Sequence, residues 1–333
     1  MTAFTACLQA YFTTYLTGQR AASRHTIDAY RDTFRLLLRH LNAEHGIPPD
    51  AVEFTDLGTT SITGFLNYLE DQRHNSPRTR NARLAAIHSF LHYAALDHPD
   101  HADLIARGLA IQTKNTNKPV LTYLTVAEVN ALLATPNRAR WTGERDYVIM
   151  AVLIGTGLRV SELTGLTHQD LHLDKPAHLL CHGKGRKDRI TPLNKATADA
   201  LNRWISHNPP PHKPEDPVFT AQGGNQHPIS RDAIAARLAV HVKAATSSCP
   251  SLAAKQITPH TLRHTTAMRM LEAGIDITTI ALWLGHESTQ ATMAYLQADL
   301  TMKQKAMDRI SPADVRGRRY QPKADILNFL EHL

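Results

Sequence analysis

Cysteine is scarce: the 333 residues hold three, Cys7, Cys181 and Cys249, far apart and without a C-x-x-C pair. That excludes a disulfide framework or a cysteine-rich zinc site as the basis of the fold, and it suits a reducing compartment. Aromatic residues make up only 6% of the chain. No apolar run reaches membrane-spanning length and no signal peptide is visible, so no membrane partner is expected. An acidic excess is also missing. Lys and Arg number 37 against 30 Asp and Glu, a formal net charge of +7, which favours a polyanionic partner. The surplus is uneven: residues 1–108 hold 10 basic against 11 acidic residues, and residues 109–333 hold 27 against 19. The 20 histidines invite a metal hypothesis, but they form no ligand cluster along the sequence, so no metal and no cofactor are expected.

What is present is helical patterning over a length suited to two domains, with 42% hydrophobic residues to build cores. Phe4, Leu8, Tyr11, Phe12, Tyr15 and Leu16 recur at helical spacing. Ser23 opens a second helix, Thr60 or Ser61 a third, and Ser76-Pro77 a fourth, each followed by an apolar stripe. A short fifth helix is expected near 101–108. Arg78, Arg80 and Arg83 fall opposite the apolar side of the fourth helix and are candidate DNA contacts. A generic helical bundle with a solvated basic helix accounts for this half equally well. Residues 109–121 are polar and aperiodic, a linker between domains.

The second half carries the chemistry-bearing residues. Thr125 caps a helix, and Arg145 to Ile154 reads as an apolar core helix. Gly155-Thr-Gly-Leu-Arg159-Val-Ser-Glu162 then places Arg159 in a turn beside a helix start, a natural seat for phosphate. Residues 177–193 form two strand-like runs about a Gly-Lys184-Gly turn, with Arg186, Lys187 and Arg189 adding positive charge as further candidate DNA contacts. Val218-Phe219 reads as a short strand, and Ser230 caps a further helix. The organising stretch is 258–296. Thr258 caps a helix with Pro259 in its first turn, and His260 and Arg263 share one face of it. Asp276 caps a second helix that Gly285 ends; His286 follows, and Tyr295 lies in a third helical run. Residues 311–323 are a basic linker before a short amphipathic helix.

H-x-L-R-H, then L-G-H, then Tyr at this offset resembles the tyrosine recombinase (phage integrase) family. G-L-R-V-S-E-L and G-K-G-x-K-x-R are similar to two further motifs of that family, in the right order. The resemblance implies a mainly α fold with a small β-sheet. A helical amino-terminal core-binding domain (1–108) and a mixed α/β catalytic domain (122–310) would close as a C-shaped clamp on DNA, with a carboxyl-terminal tail at 311–333. It implies six catalytic residues: Arg159, Lys184, His260, Arg263, His286 and the nucleophile Tyr295, with Glu162 orienting the site. It implies double-stranded DNA recombination sites as partner, a homo-tetramer on synapsed DNA with exchange of tails, and work without metal or ATP in the bacterial cytoplasm. Integration, excision or transposition of a mobile element is the expected role. Chromosome dimer resolution of the Xer kind and a type IB topoisomerase remain as alternatives, as does a DNA-binding regulator that has lost the chemistry.

Overall fold

The computed structural model describes residues 2–116, 121–183, 188–207, 213–221 and 227–285, together with Thr292 and Tyr295. The chain divides after Pro119 into two units, each with its own core.

In the amino-terminal unit, α1 (Ala3–Ala10) is capped by the Thr2 hydroxyl and runs on through a wider π-helical stretch, Tyr11–Gln19. Helix α2 (Arg24–His45) starts at Ser23 and stops at Gly46, α3 (Thr59–Asp71) follows, and α4 (Pro77–Asp97) starts at Ser76 with Pro77 in its first turn. Helix α5 (Ala102–Leu109) closes the bundle. Gly58, rather than Thr60 or Ser61, stands at the start of α3. The few aromatics of the chain are concentrated here. The Phe90 ring sits 5.6 Å from Phe4, 5.5 Å from Tyr11 and 5.2 Å from Phe34, all in edge-on geometry. Each such pair adds about 0.5–1.5 kcal/mol beyond the burial itself.

The three arginines of α4 do not share one fate. Arg78 is exposed. Arg80 is 5% exposed, with Nε 3.6 Å from the Glu70 carboxylate and Nη1 donating to the Gln112 carbonyl. Asn81 beside it donates to the Lys114 carbonyl and accepts from the Lys114 amide. Arg83 is half-buried and donates to Thr33 on α2. The expectation of three solvated cations is therefore corrected for Arg80. Its side chain fastens segment 112–114 to the bundle, because a buried guanidinium needs a carboxylate and carbonyls around it.

The second unit is built around α7 (Trp141–Thr156), where Val148, Ile149, Met150, Val152, Leu153 and Ile154 are all buried. Helix α7 packs against α9 (Lys195–His207) and α11 (Pro259–Glu272). Helices α6 (Val126–Leu133) and α10 (Arg231–Ala245) lie beside it, and the buried Asp146 carboxylate ties α10 to α7 by accepting from Arg237 and bonding to the His241 imidazole. Helix α9 is absent from the sequence reading above. Its signals are the Asn194 side chain accepting from the Thr197 amide, and Ala198, Leu201 and Trp204 on one face.

The sheet has three antiparallel strands in the order β1 (Leu171–His172), β2 (His178–His182) and β3 (Asp188–Pro192). The expected hairpin is β2–β3, with register from His178↔Pro192 to His182↔Asp188; β1 is an addition too short to show a period. Val218-Phe219 forms no strand. Isolated bridges at Thr167↔Pro217 and Thr220↔Pro228 flank it, and Phe219 is a core residue. Short helix α8 (Val160–Thr164) and α12 (Ile277–Leu284) complete the surroundings of the site. Among the described residues no helix is long and apolar enough to cross a membrane, and no group of three or more His, Cys, Asp and Glu is placed to hold a metal ion.

Candidate active site

Two helix ends and one helix start meet where the site forms. Gly157 ends α7 and Gly285 ends α12, both in the left-handed region at φ 69° and 63°. A side chain at Gly157 would meet Leu284 at 2.6 Å, and one at Gly285 would meet Arg189 at 2.9 Å, so glycine is required at both by conformation and by space. Each local turn leaves a carbonyl pointing inward, and each carbonyl takes an arginine. Arg263 Nη1 donates to the Gly157 carbonyl and Nη2 to the Leu284 carbonyl, both at 2.6 Å. Arg159 Nη2 donates to the Gly285 carbonyl at 2.9 Å. His286 follows Gly285 directly in the sequence but lies outside the described residues.

Arg159 is the residue before α8, and its backbone amide donates to Glu162 Oε2 at 2.7 Å. Its side chain, 35% exposed, donates from Nη1 to Glu162 Oε1 at 2.8 Å. The other half of the Glu162 carboxylate is held by Arg189 on β3, whose Nη1 and Nη2 donate to the two oxygens at 2.9 Å each. Arg189 Nε also donates to the Trp283 carbonyl. Burial alone would raise the Glu162 pKa. The Arg189 fork, the Arg159 amide and the two guanidinium charges overcome it and bring the carboxyl down to about 2. Arg189 is thus a correction to the expectation that it contacts DNA: its side chain is 13% exposed and pairs with a buried carboxylate. Arg186, Lys187 and Lys184 lie in the connection between β2 and β3, outside the described residues.

Arg263 is 1% exposed on α11. Burial, then the neighbouring Arg159 charge, lower its pKa to about 10, so it remains a cation at neutral pH. The bonds to Gly157 and Leu284 engage two of its N–H groups, and a guanidinium carries five. His260 stands exposed in the first turn of the same helix, where partial desolvation and then the Arg263 and Arg159 charges push its pKa down. Thr258 caps this helix by accepting from the Thr261 amide, and Pro259 is in its first turn, as the sequence implies.

Tyr295 is 2% exposed and packs with Ala267, Met268, Leu271, Ile280 and Leu284. Burial raises the pKa of its phenol, while Arg263 and Arg159 oppose that rise through their charge. Its hydroxyl lies 3.0 Å from His264 Nδ1. His264 is absent from the sequence-based set. The signal for it is the second histidine of H-x-L-R-H, four residues after His260 and so on the same helix face. Arg159 and Arg263 thus donate to adjacent carbonyls, those of Gly285 and Leu284, and the Tyr295 phenol, which feels both charges, meets the histidine that follows Arg263. A concentration of cationic N–H donors beside a phenol suits a phosphodiester and a covalent attack upon it.

The family model described as "Phage integrase family" matches residues 122–302, and "Phage integrase, N-terminal SAM-like domain" matches residues 10–98. A Sinorhizobium fredii protein whose name describes an integrase/recombinase is 42% identical over 326 residues, covering 98% of this chain and 97% of its own length. The tyrosine recombinase XerC of Pelobacter propionicus is 32% identical over 304 residues, covering 90% and 94%. Among solved structures, the Tn1549 transposon integrase in complex with transposon right end DNA aligns with a TM-score of 0.68 at 19% identity, covering 92% of this chain and 99% of that one. The XerH site-specific recombinase bound to a palindromic difH substrate aligns at 0.64 and 17%, covering 92% and 83%. These two show the shared fold, and the family models and sequence relatives carry the assignment: the chain belongs to the phage integrase, or tyrosine recombinase, family.

Proposed function

We propose that the chain is a site-specific DNA recombinase that cleaves and rejoins strands through a phosphotyrosyl intermediate at Tyr295. The observation that carries this reading is that Arg159 and Arg263 donate to the adjacent Gly285 and Leu284 carbonyls, while His264, next to Arg263 on α11, lies 3.0 Å from the Tyr295 hydroxyl. Tyr295 Oη attacks the scissile phosphorus, forming the Oη–P bond as the P–O5′ bond breaks. A 3′-phosphotyrosyl link and a 5′-hydroxyl result. Arg159 and Arg263 hold the non-bridging oxygens as negative charge builds, and His260 and His286 hydrogen-bond the same phosphate or take the proton that the Tyr295 hydroxyl releases as the Oη–P bond forms. Lys184 protonates the leaving 5′-oxygen. Glu162 and Arg189 touch no reacting atom; they hold Arg159 in place. The covalent link conserves the phosphodiester, so the scheme uses no ATP, and the fixed cations supply the charge that a metal ion otherwise gives.

The partner is double-stranded DNA carrying recombination sites. Strand exchange takes place in a homo-tetramer on two synapsed sites, with the tail at 311–333 docking on a neighbouring protomer. Integration, excision or transposition of a mobile element is the biological role, and the 42% identical relative with an integrase/recombinase name supports it. The test is a nicked suicide substrate built from the DNA flanking the gene. Wild-type protein is expected to form a covalent protein–DNA adduct, and Tyr295→Phe to bind the same DNA with no adduct. An adduct at wild-type level from Tyr295→Phe would falsify the assignment of the nucleophile.

A further inference from the structure

His264 has no part in the scheme above, yet its Nδ1 lies 3.0 Å from the nucleophile's oxygen. It lies one turn beyond His260 on α11, and the two rings meet edge-on with centroids 4.4 Å apart. Its other side faces Tyr295, with ring centroids 5.5 Å apart at 65° and Nδ1 3.0 Å from Oη. The half-buried imidazole is neutral: burial, then the His260 and Arg263 charges, bring its pKa down to about 4. Tyr295 keeps its proton because burial raises its own pKa. A phenol and a neutral imidazole share one hydrogen bond in one of two ways. Either the hydroxyl donates to an unprotonated Nδ1, or Nδ1–H donates to Oη. The first is stronger, because an imidazole nitrogen lone pair is a better acceptor than a phenol oxygen and a phenol is the more acidic donor.

We propose that His264 is a positioning residue for the nucleophile: its Nδ1 accepts the Tyr295 hydroxyl hydrogen, which holds Oη in place with its proton turned towards α11. The opposite tautomer would occupy an Oη lone pair and leave the phenol hydrogen in the path of attack. His264 does not act as the base. Burial brings the imidazole down to about 4 and raises the phenol, so moving the proton from Oη to Nδ1 is steeply uphill. Its contribution is alignment, and a displacement of about 1 Å at a reacting atom costs on the order of a hundredfold in rate. This inference rests on the proposed cleavage reaction, and its test separates the two.

Two substitutions and one DNA-free measurement decide it. His264→Asn places an acceptor oxygen near the position of Nδ1, whereas His264→Leu keeps bulk and removes the acceptor. On the nicked substrate under single-turnover conditions, His264→Leu is expected to cleave about 10- to 100-fold slower at unchanged DNA affinity. His264→Asn should recover most of the rate with the wild-type pH profile. Wild-type cleavage by His264→Leu overturns the proposal, and so does a His264→Asn as slow as His264→Leu. In the free protein, nitrogen NMR of labelled histidine should show Nδ1 of His264 unprotonated, with the tyrosine resonance lost in Tyr295→Phe shifted by His264→Leu and not by His264→Asn. A protonated Nδ1 overturns the proposal without any DNA. An unprotonated Nδ1 in a wild-type protein that forms no adduct upholds the hydrogen bond and removes the cleavage reading instead.

Discussion

Replacing Glu162 with glutamine isolates the carboxylate that joins Arg159, Arg189 and the turn before α8. The side chain is 3% exposed and accepts four hydrogen bonds, two from Arg159 and two from Arg189. Its pKa falls from an ordinary 4.5 to about 2. At about 1.4 kcal/mol per pKa unit, that depression corresponds to about 3 kcal/mol of folding stability at neutral pH. A depressed carboxyl stabilises the fold fully above its unfolded value, and the contribution is lost as pH falls from 4.5 towards the folded value. Glu162→Gln removes the charge and turns an amide NH2 towards two guanidinium groups. A loss of about 3–5 kcal/mol is therefore expected, the range for removing one partner of a buried ion pair. All three tryptophans, Trp141, Trp204 and Trp283, lie in the carboxyl-terminal unit, so urea unfolding followed by tryptophan fluorescence reads that unit alone. The gap between wild type and variant should narrow by about 1.4 kcal/mol between neutral pH and about pH 3.5. Added salt should leave it nearly unchanged, because the pair is buried. A loss below about 1 kcal/mol at neutral pH, or a gap that stays constant in acid, would refute the reasoning.

Gly285→Ala forces a left-handed backbone on a residue with a side chain and drives its Cβ to 2.9 Å from Arg189 Nη1. A stability loss of about 1–2 kcal/mol is expected, with slower adduct formation as the carbonyl that holds Arg159 shifts; unchanged urea midpoint and cleavage rate would sink this account. His182 bridges Asp188 at 2.9 Å and Asp170 at 3.0 Å at the last strand pair before the β2–β3 connection, and these two carboxylates raise its pKa. A raised histidine stabilises fully below its ordinary 6.5 and loses that effect as pH rises through the folded value, so hydrogen-exchange protection of the strand ends at His182 and Asp188 should fall across that window. His182→Gln should show no such fall, and an identical profile in both proteins counts against the bridge.

The sequence by itself determined the local elements and named the candidate reactive groups. Thr2 aside, the helix starts at Ser23, Ser76, Thr125, Ser230, Thr258 and Asp276 follow from a side-chain oxygen that accepts from the first-turn amides, a contact made within three residues. His260 and Arg263 share a face because the helix repeat puts them there. Only the tertiary structure decided which cations are available. Arg80, Arg83 and Arg189 carry the same charge in the sequence as Arg78, but the first three meet carboxylates, carbonyls or a hydroxyl in other parts of the chain. The site itself is a product of distance in sequence. Arg159 meets the Gly285 carbonyl across 126 residues, Arg263 meets the Gly157 carbonyl across 106, and His264 meets Tyr295 across 31. Local periodicity reports which side of a helix is apolar. It carries no record of which carbonyl or hydroxyl another element brings to that side, and here two left-handed glycine turns and a short sheet settle the matter.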